Sequence, residues 1–171
     1  MNTYSKKVCL LGDFAVGKTS LVRRFVHNRF DDQYISTIGV KVSRKTVMAP
    51  YHGEVVELTM MLWDLAGSQE FNSVTGSYLR GAAGAILVCD MTRAETLNNL
   101  QRYVDDLAKV NTQIKLVIAA NKNDLPDQFQ LTVEQVNAYA ATLNTVCFLT
   151  SAKQGAEVDT MFRHLGKLLL A

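Results

Sequence analysis

Residues 12–20 read Gly-Asp-Phe-Ala-Val-Gly-Lys-Thr-Ser, and they follow directly on a short apolar run, "KKVCLLG". The stretch matches G-x-x-x-x-G-K-[ST], and a segment of helical period begins where it ends. A strand, a glycine-containing turn and a helix start in that order predict a loop whose backbone amides point inward at a polyphosphate. Gly12 and Gly17 permit the turn and the close approach. Lys18 supplies a point charge to the outer phosphates, and Thr19 offers magnesium a hydroxyl. Phe14, Ala15, Val16 and Ser20 complete the loop and are read as nucleotide contacts with it. A chance match in an unrelated turn is the competing reading, and the flanking strand and helix argue against it.

The rest of the chain predicts an α/β fold around that loop. Strands are expected over 6–12, 41–49, 54–63, 84–90, 114–120 and 145–150. Helices are expected over 17–28, 94–110, 132–143 and 156–169, with another around 70–80. The runs at 84–90 and 114–120 are almost continuously apolar, as strands covered on both faces should be. Between 41–49 and 54–63 lies "PYHG", too short for a helix, so those strands are expected to form an antiparallel hairpin. Thr92 with Glu95, and Thr132 with Gln135, match the capping-box pattern. Leu97, Leu100, Val104 and Leu107 mark one helical face, and Val158, Met161, Phe162, Leu165 and Leu169 another; both are read as core. Pro50 and Pro126 are assigned to loops. The alternation implies right-handed crossovers and a mostly parallel sheet, with six strands and about five helices. Ligands in such folds bind beyond the carboxyl ends of the strands, here just after 12, 63, 90, 120 and 150.

Two of those strand ends carry chemistry of their own. "NKND", Asn121 to Asp124, places a carboxylate where it can accept from the N1–H and 2-amino groups of guanine. Adenine lacks both donors and would leave a buried Asp124 unsatisfied. Asn121 is expected to tie adjacent loops together, with the stem of Lys122 against the base. In "TSAK", Thr150 to Lys153, a backbone amide is expected to meet the guanine carbonyl, so Ser151, Ala152 and Lys153 join the candidate site. The run "VVELTMMLW" then ends in "DLAG". Asp64 there can hold a magnesium-bound water, and the Gly67 amide can reach a terminal phosphate.

Length and composition bound the alternatives. The 171 residues fit one domain, 1–171, large enough to bury a core, and a formal net charge of +2 gives no field for nucleic acid or acidic membranes. Basic pairs such as Lys6-Lys7, Arg23-Arg24 and Arg44-Lys45 form no tract. Cys9, Cys89 and Cys147 lie in apolar runs and are read as reduced, buried thiols in a reducing compartment, in preference to a catalytic thiol. His27, His52 and His164 lack metal-ligand spacing. No apolar stretch approaches the roughly 18 residues that span a bilayer. "MNTYSKK" is not a signal peptide, and "LGKLLLA" carries no lipidation cysteine. A cytoplasmic monomer is expected, with membrane recruitment only through partners or a tail absent from this sequence.

With "GDFAVGKTSLV", "YISTIGV", "WDLAG", "SYLRGA", "NKND" and "TSAK" in order and spacing, the chain resembles a Ras-superfamily small GTPase, most like the Rab family, over essentially its whole length. The resemblance implies GTP/GDP and Mg2+ binding, GTP hydrolysis (slow, given the departures below), vesicle trafficking, and two nucleotide-dependent switch segments near 31–42 and 64–80. Protein effectors, an exchange factor and an activating protein follow as partners. Phe30 matches the aromatic that stacks on guanine. Tyr34 and Thr37 fall in the first switch, Thr37 as a second hydroxyl ligand to magnesium. "STIGV" and Trp63 match the surface by which Rab proteins meet partners.

The chain departs from the family pattern at several positions. Lys41 and Val42 stand where an aspartate and an aromatic usually follow "IGV". Phe14 takes a place, facing the terminal phosphate, that is usually glycine or another small residue. Ser68 occupies the position of the water-orienting glutamine, with Gln69 one residue late. Lys18, Ser68 and Gln69 are the candidates for catalysis. A local backbone shift that brings Gln69 into place is the alternative to a defective hydrolytic site. Two other functions stay open, a GTP-binding scaffold that scarcely hydrolyses and a P-loop phosphotransferase. "NKND" with "TSAK" and the lack of an arginine-rich lid argue against the second.

Overall fold

The computed structural model describes residues 1–30, 39–66 and 73–171, without the side chains of 73–75. Six strands among the described residues form one sheet: β1 (Thr3–Leu11), β2 (Val40–Tyr51), β3 (Glu54–Leu65), β4 (Gly84–Asp90), β5 (Lys115–Asn121) and β6 (Cys147–Leu149). Their spatial order is β2-β3-β1-β4-β5-β6. Only the β2–β3 pair is antiparallel; β1 with β3, β1 with β4, β4 with β5 and β5 with β6 run parallel. The mostly parallel sheet with one antiparallel strand is the expected fold.

The α-helices among the described residues are α1 (Lys18–His27), α2 (Ser73–Leu79), α3 (Glu95–Asn98), α4 (Leu100–Val110), α5 (Val133–Thr142) and α6 (Val158–Leu170). Alternating side chains divide the core between the two faces of the sheet. Val8, Leu10, Ile86 and Val88 join Leu21 and Phe25 of α1 and Met161, Phe162 and Leu165 of α6 on one face. Cys9, Leu11, Leu87 and Cys89 join Leu79 of α2, Leu97 of α3, Leu100 and Leu107 of α4 and Val136 of α5 on the other. β4 is buried at all seven positions, as its unbroken apolar sequence requires. Phe25 and Phe162 stack with centroids 4.0 Å apart and tie α1 to α6.

Several local expectations are corrected. The hairpin turn is His52-Gly53, tighter than "PYHG", with φ of 51° and 79°. Two successive residues at positive φ are the geometry whose twist matches the flanking strands. Pro50 therefore lies inside β2, opposite Val55. An edge strand tolerates it because its outer side needs no ladder donor. The helix expected over 94–110 is divided at Asn99 into α3 and α4. Thr92 makes no capping box. Its amide and hydroxyl both donate to Asp90 Oδ1, and the residue before α3 is Ala94, with no side-chain cap. Thr132 and Gln135 do form theirs at α5, with both reciprocal bonds present. Val104 is only partly buried on its face. Cys9 and Cys89 are buried free thiols, but Cys147 is half-exposed because β6 is a three-residue edge strand. No helix among the described residues is long and apolar enough to cross a membrane.

Candidate nucleotide site

β1 ends at Leu11 and α1 begins at Lys18, so residues 12–17 form a loop at the carboxyl end of a central strand. Backbone demands fix its glycines. A Cβ on Gly12, whose φ is +154°, would lie 2.4 Å from the Val88 carbonyl oxygen. One on Gly17, at φ +105°, would lie 2.2 Å from Asn121 Nδ2. A side chain would have to displace the β4 backbone at Val88 in the first case and the Asn121 side chain in the second, both at a strained φ. Gly17 caps α1, which leaves the positive end of that helix facing the loop.

The loop's outward carbonyls are taken by side chains, one after another. Lys18 Nζ donates to Gly12 O at 2.8 Å and Asp13 O at 3.0 Å. Arg93 Nη2 donates to Phe14 O at 2.7 Å, Lys122 Nζ to Ala15 O at 3.1 Å, and Asn121 Nδ2 to Val16 O at 3.0 Å. With its carbonyls turned toward these donors, the loop is built to present amides to an anion. Lys18 is 6% exposed. Burial pushes its ammonium down to about 8, while the carboxylates of Asp64 and Asp13 hold it up and Arg93 lowers it further. A phosphate beside Lys18 would replace the solvation it has lost.

Thr19, in the first turn of α1, donates from Oγ1 to Asp64 Oδ2 at 2.5 Å. Asp64, 1% exposed, is brought there by the pairing of β3 with Leu10 of β1. A threonine hydroxyl and an aspartate carboxylate beside the phosphate loop are hard oxygen donors of the kind magnesium takes, an ion that keeps several waters. The residues therefore fit that ion, which Thr19 would hold directly and Asp64 through a bound water. The other expected ligand, Thr37, lies outside the described residues, as do Tyr34, Gly67, Ser68 and Gln69.

The loops after β5 and β6 meet the phosphate loop through Asn121. Its Oδ1 accepts from Thr150 Oγ1 at 3.1 Å and from the Ala152 amide at 3.3 Å, while its Nδ2 holds Val16. The expected loop-tying role of Asn121 is thus met in its geometry. Ser151 Oγ donates to Asp124 Oδ1 at 2.8 Å and accepts from the Gln154 amide. Lys122, at φ +70°, carries its ammonium past the loop to Asp90 and Ala15. Lys153 is exposed, and its carbonyl accepts from Arg24 Nη2 at 2.5 Å. Phe30 is half-buried against the core. Ser20 is half-buried, Ala15 takes φ +63°, and Phe14 stands 58% exposed at the tip of the loop.

Sequence reasoning missed three supports of this site. Asp13 is held by Asn99 Nδ2 at 2.6 Å and Tyr103 Oη at 3.0 Å, with Arg102 3.5 Å away. Arg24 reaches across from α1 to the Ala152 and Lys153 carbonyls. Asp90 ends β4, its side chain fully buried, and pairs with both Lys122 and Arg93. The position of Asp90 was the available signal, since a strand end beside the phosphate loop is where such folds place polar groups.

A phosphate cradle after the first strand, an aspartate at a neighbouring strand end and joined polar loops after the last two strands define a P-loop nucleotide-binding domain of the small G type. The chain belongs to the Ras family: the sequence model of that family matches residues 7–171. It is 35% identical over 162 residues to the Ras-related protein Rab-31 of mouse, rat and human, covering 94% of this chain and 81% of each relative. The Rab-like resemblance therefore holds. Ras-family proteins bind guanine nucleotide with magnesium and are GTPases, and the chain is a small GTP-binding switch in that general sense.

Proposed function

We propose that residues 1–171 act as one guanine-nucleotide switch that hydrolyses GTP slowly and signals to protein partners through segments near 31–42 and 64–80. The observation that carries this reading is Asn121, which bonds Val16 of the phosphate loop and the Thr150–Ala152 loop at once. One side chain thereby couples the place where phosphates bind to the place where a base is read. Asp124, held by Ser151, reads guanine through its free acceptor capacity. The Gly12–Ser20 loop takes the phosphates. Thr19 and Thr37 would hold magnesium directly and Asp64 through a bound water, and the ion when bound would offset phosphate charge.

Lys18 supports the outer phosphates, and Phe30 and Tyr34 close on the nucleotide. Contacts to Thr37 and Gly67 that depend on the third phosphate order the switches. Ser68 is too short to orient an attacking water, and Gln69 is displaced by one residue, so the chemical step is slow. Effector, exchange-factor and activating-protein surfaces form on the switches, and nucleic acid is not a partner. The test is single-turnover hydrolysis of γ-labelled GTP, with guanosine diphosphate and free phosphate as the expected products. Transfer of the label to a second nucleotide or small acceptor would contradict the reading in favour of a phosphotransferase.

A second reading, a GTP-bound scaffold that scarcely cycles, is favoured by Phe14. Its exposed ring stands on the phosphate loop, where an incoming arginine would need room. Nucleotide analysis of the purified protein separates the two readings: a scaffold retains GTP, whereas a slow hydrolase accumulates GDP.

A further inference from the structure

The carboxyl end of β4 holds a device that the nucleotide-site residues do not account for. Asp90 is fully buried and uses both carboxylate oxygens. Its Oδ1 accepts from the Thr92 amide and hydroxyl, at 2.8 and 2.6 Å. Its Oδ2 meets Lys122 Nζ at 2.8 Å and Arg93 Nε at 3.1 Å. Each of those cations also donates to one carbonyl of the phosphate loop, Lys122 to Ala15 and Arg93 to Phe14. The turn that carries Arg93 is closed by Asp90 itself, because the Arg93 amide donates to Asp90 O at 3.0 Å and the Asp90 amide to Thr96 Oγ1 at 2.8 Å.

An arginine suits this place for a geometric reason. Its planar fork can bond a carboxylate through Nε while Nη2 points elsewhere, so one side chain fixes two groups at a set distance. The Phe14 carbonyl belongs to a six-residue loop, on a residue that is 58% exposed.

We propose that Arg93, seated on the buried carboxylate of Asp90, is a positioning residue for the phosphate loop: it turns the Phe14 carbonyl outward so that the neighbouring amides face the nucleotide phosphates. The proposal rests on the nucleotide-binding reading and adds a residue outside the motifs that carry it. Arg93 acts on the phosphates through the loop and has no role in choosing the base, which falls to Asp124. Loss of Arg93 should therefore weaken every nucleoside diphosphate by the same factor. A defect at Asp124 changes the ratio between bases.

The experiment compares wild type with Arg93→Ala, Arg93 being one-third exposed and replaceable without opening the core. Dissociation constants for GDP and for inosine diphosphate, which lacks the 2-amino group, are measured with magnesium present. Urea midpoints of the nucleotide-free proteins are measured alongside. The expected result is about tenfold weaker binding of both diphosphates, as for one charge-assisted hydrogen bond lost. The GDP-to-IDP ratio and the nucleotide-free midpoint should be unchanged. Unchanged GDP affinity overturns the proposal. A fall in the nucleotide-free midpoint that accounts for the affinity loss overturns it too, since Arg93 would then only support the fold. A changed base ratio would move Arg93 to the base site. Wild-type protein that binds neither diphosphate overturns the functional reading itself.

Discussion

Ser151 donates its hydroxyl proton to Asp124 Oδ1 across 2.8 Å, so the loop after β6 holds the carboxylate of the loop after β5 in one orientation. A carboxylate held on one oxygen keeps acceptor sites on the other for a ligand. Asn121 fixes the same two loops to the phosphate loop. The proposed base-reading and phosphate-binding loops are in this way hydrogen-bonded into one frame built on three strand ends.

Asp124→Asn should weaken GDP ten- to hundredfold and gain affinity for xanthosine diphosphate. An asparagine can donate to the 2-carbonyl of xanthine where an aspartate cannot, and each mispaired buried group costs about 1–3 kcal/mol. Competition titrations with the two diphosphates measure it. Full retention of GDP affinity would remove Asp124 from the base site.

Phe162→Ala should destabilise the fold by about 3–5 kcal/mol, because it deletes a fully buried ring and the stack on Phe25 that joins α6 to α1. α1 carries Lys18 and Thr19, so a loosened α1 should also reduce nucleotide affinity. Urea denaturation checks the first effect, and a loss below about 1 kcal/mol would mean that the space is refilled.

Asp90 should make the fold sensitive to acid. Burial alone would raise its carboxyl, but hydrogen bonds from Lys122 and Thr92 and the Lys122 charge outweigh it and hold the group below the usual carboxylate range. A carboxylate depressed in the folded state contributes stability that is full above the unfolded pKa, near 4, and is lost as pH falls through the lower folded value. Asp90→Asn should cost about 2 kcal/mol at pH 7, where Lys122 loses its counter-charge. The gap between wild type and variant should narrow as pH falls below about 4. Urea midpoints between pH 3 and 7 measure it, and a gap independent of pH would show that the charge contributes nothing.

Most of the fold was legible because its strands are apolar runs and its helices carry regular stripes. The misplacements have local causes. The apolar spacing steps from Leu97 to Leu100 across Asn99 and so conceals the division between α3 and α4. Pro50 looks like a loop residue until β2 is known to be the sheet edge. Lys18, Thr19, Asp64, Asn121 and Asp124 stand out as candidates in the sequence because they fall in short motifs with the spacing a nucleotide would demand. Asp90, Arg93, Asn99 and Tyr103 were not, because they serve the backbone or side chain of the phosphate loop from distant elements. Only the tertiary fold brings Asn99 within 2.6 Å of Asp13.

Intrinsic GTP hydrolysis should be slow, at or below the roughly 10⁻⁴ to 10⁻³ s⁻¹ of this class with its glutamine in place. Positioning supplies most of phosphoryl-transfer catalysis, so a glutamine one residue late contributes little. Ser68→Gln should restore part of the rate. Phe14→Gly combined with Ser68→Gln should respond more to an activating partner than either change alone. Single-turnover rates measure these, with Gln69→Ala as control. Brisk wild-type hydrolysis that Gln69→Ala abolishes would show that Gln69 is the working group.

The most direct test of the account is displacement of fluorescent GDP from the magnesium-loaded protein by unlabelled GTP, GDP, ATP and ADP. The account predicts saturable binding in which GTP and GDP displace the label at concentrations at least about a hundredfold below ATP and ADP, since a site built to satisfy guanine donors rejects a base without them. Equal displacement by adenine nucleotides, or no saturable binding of GDP, would contradict it.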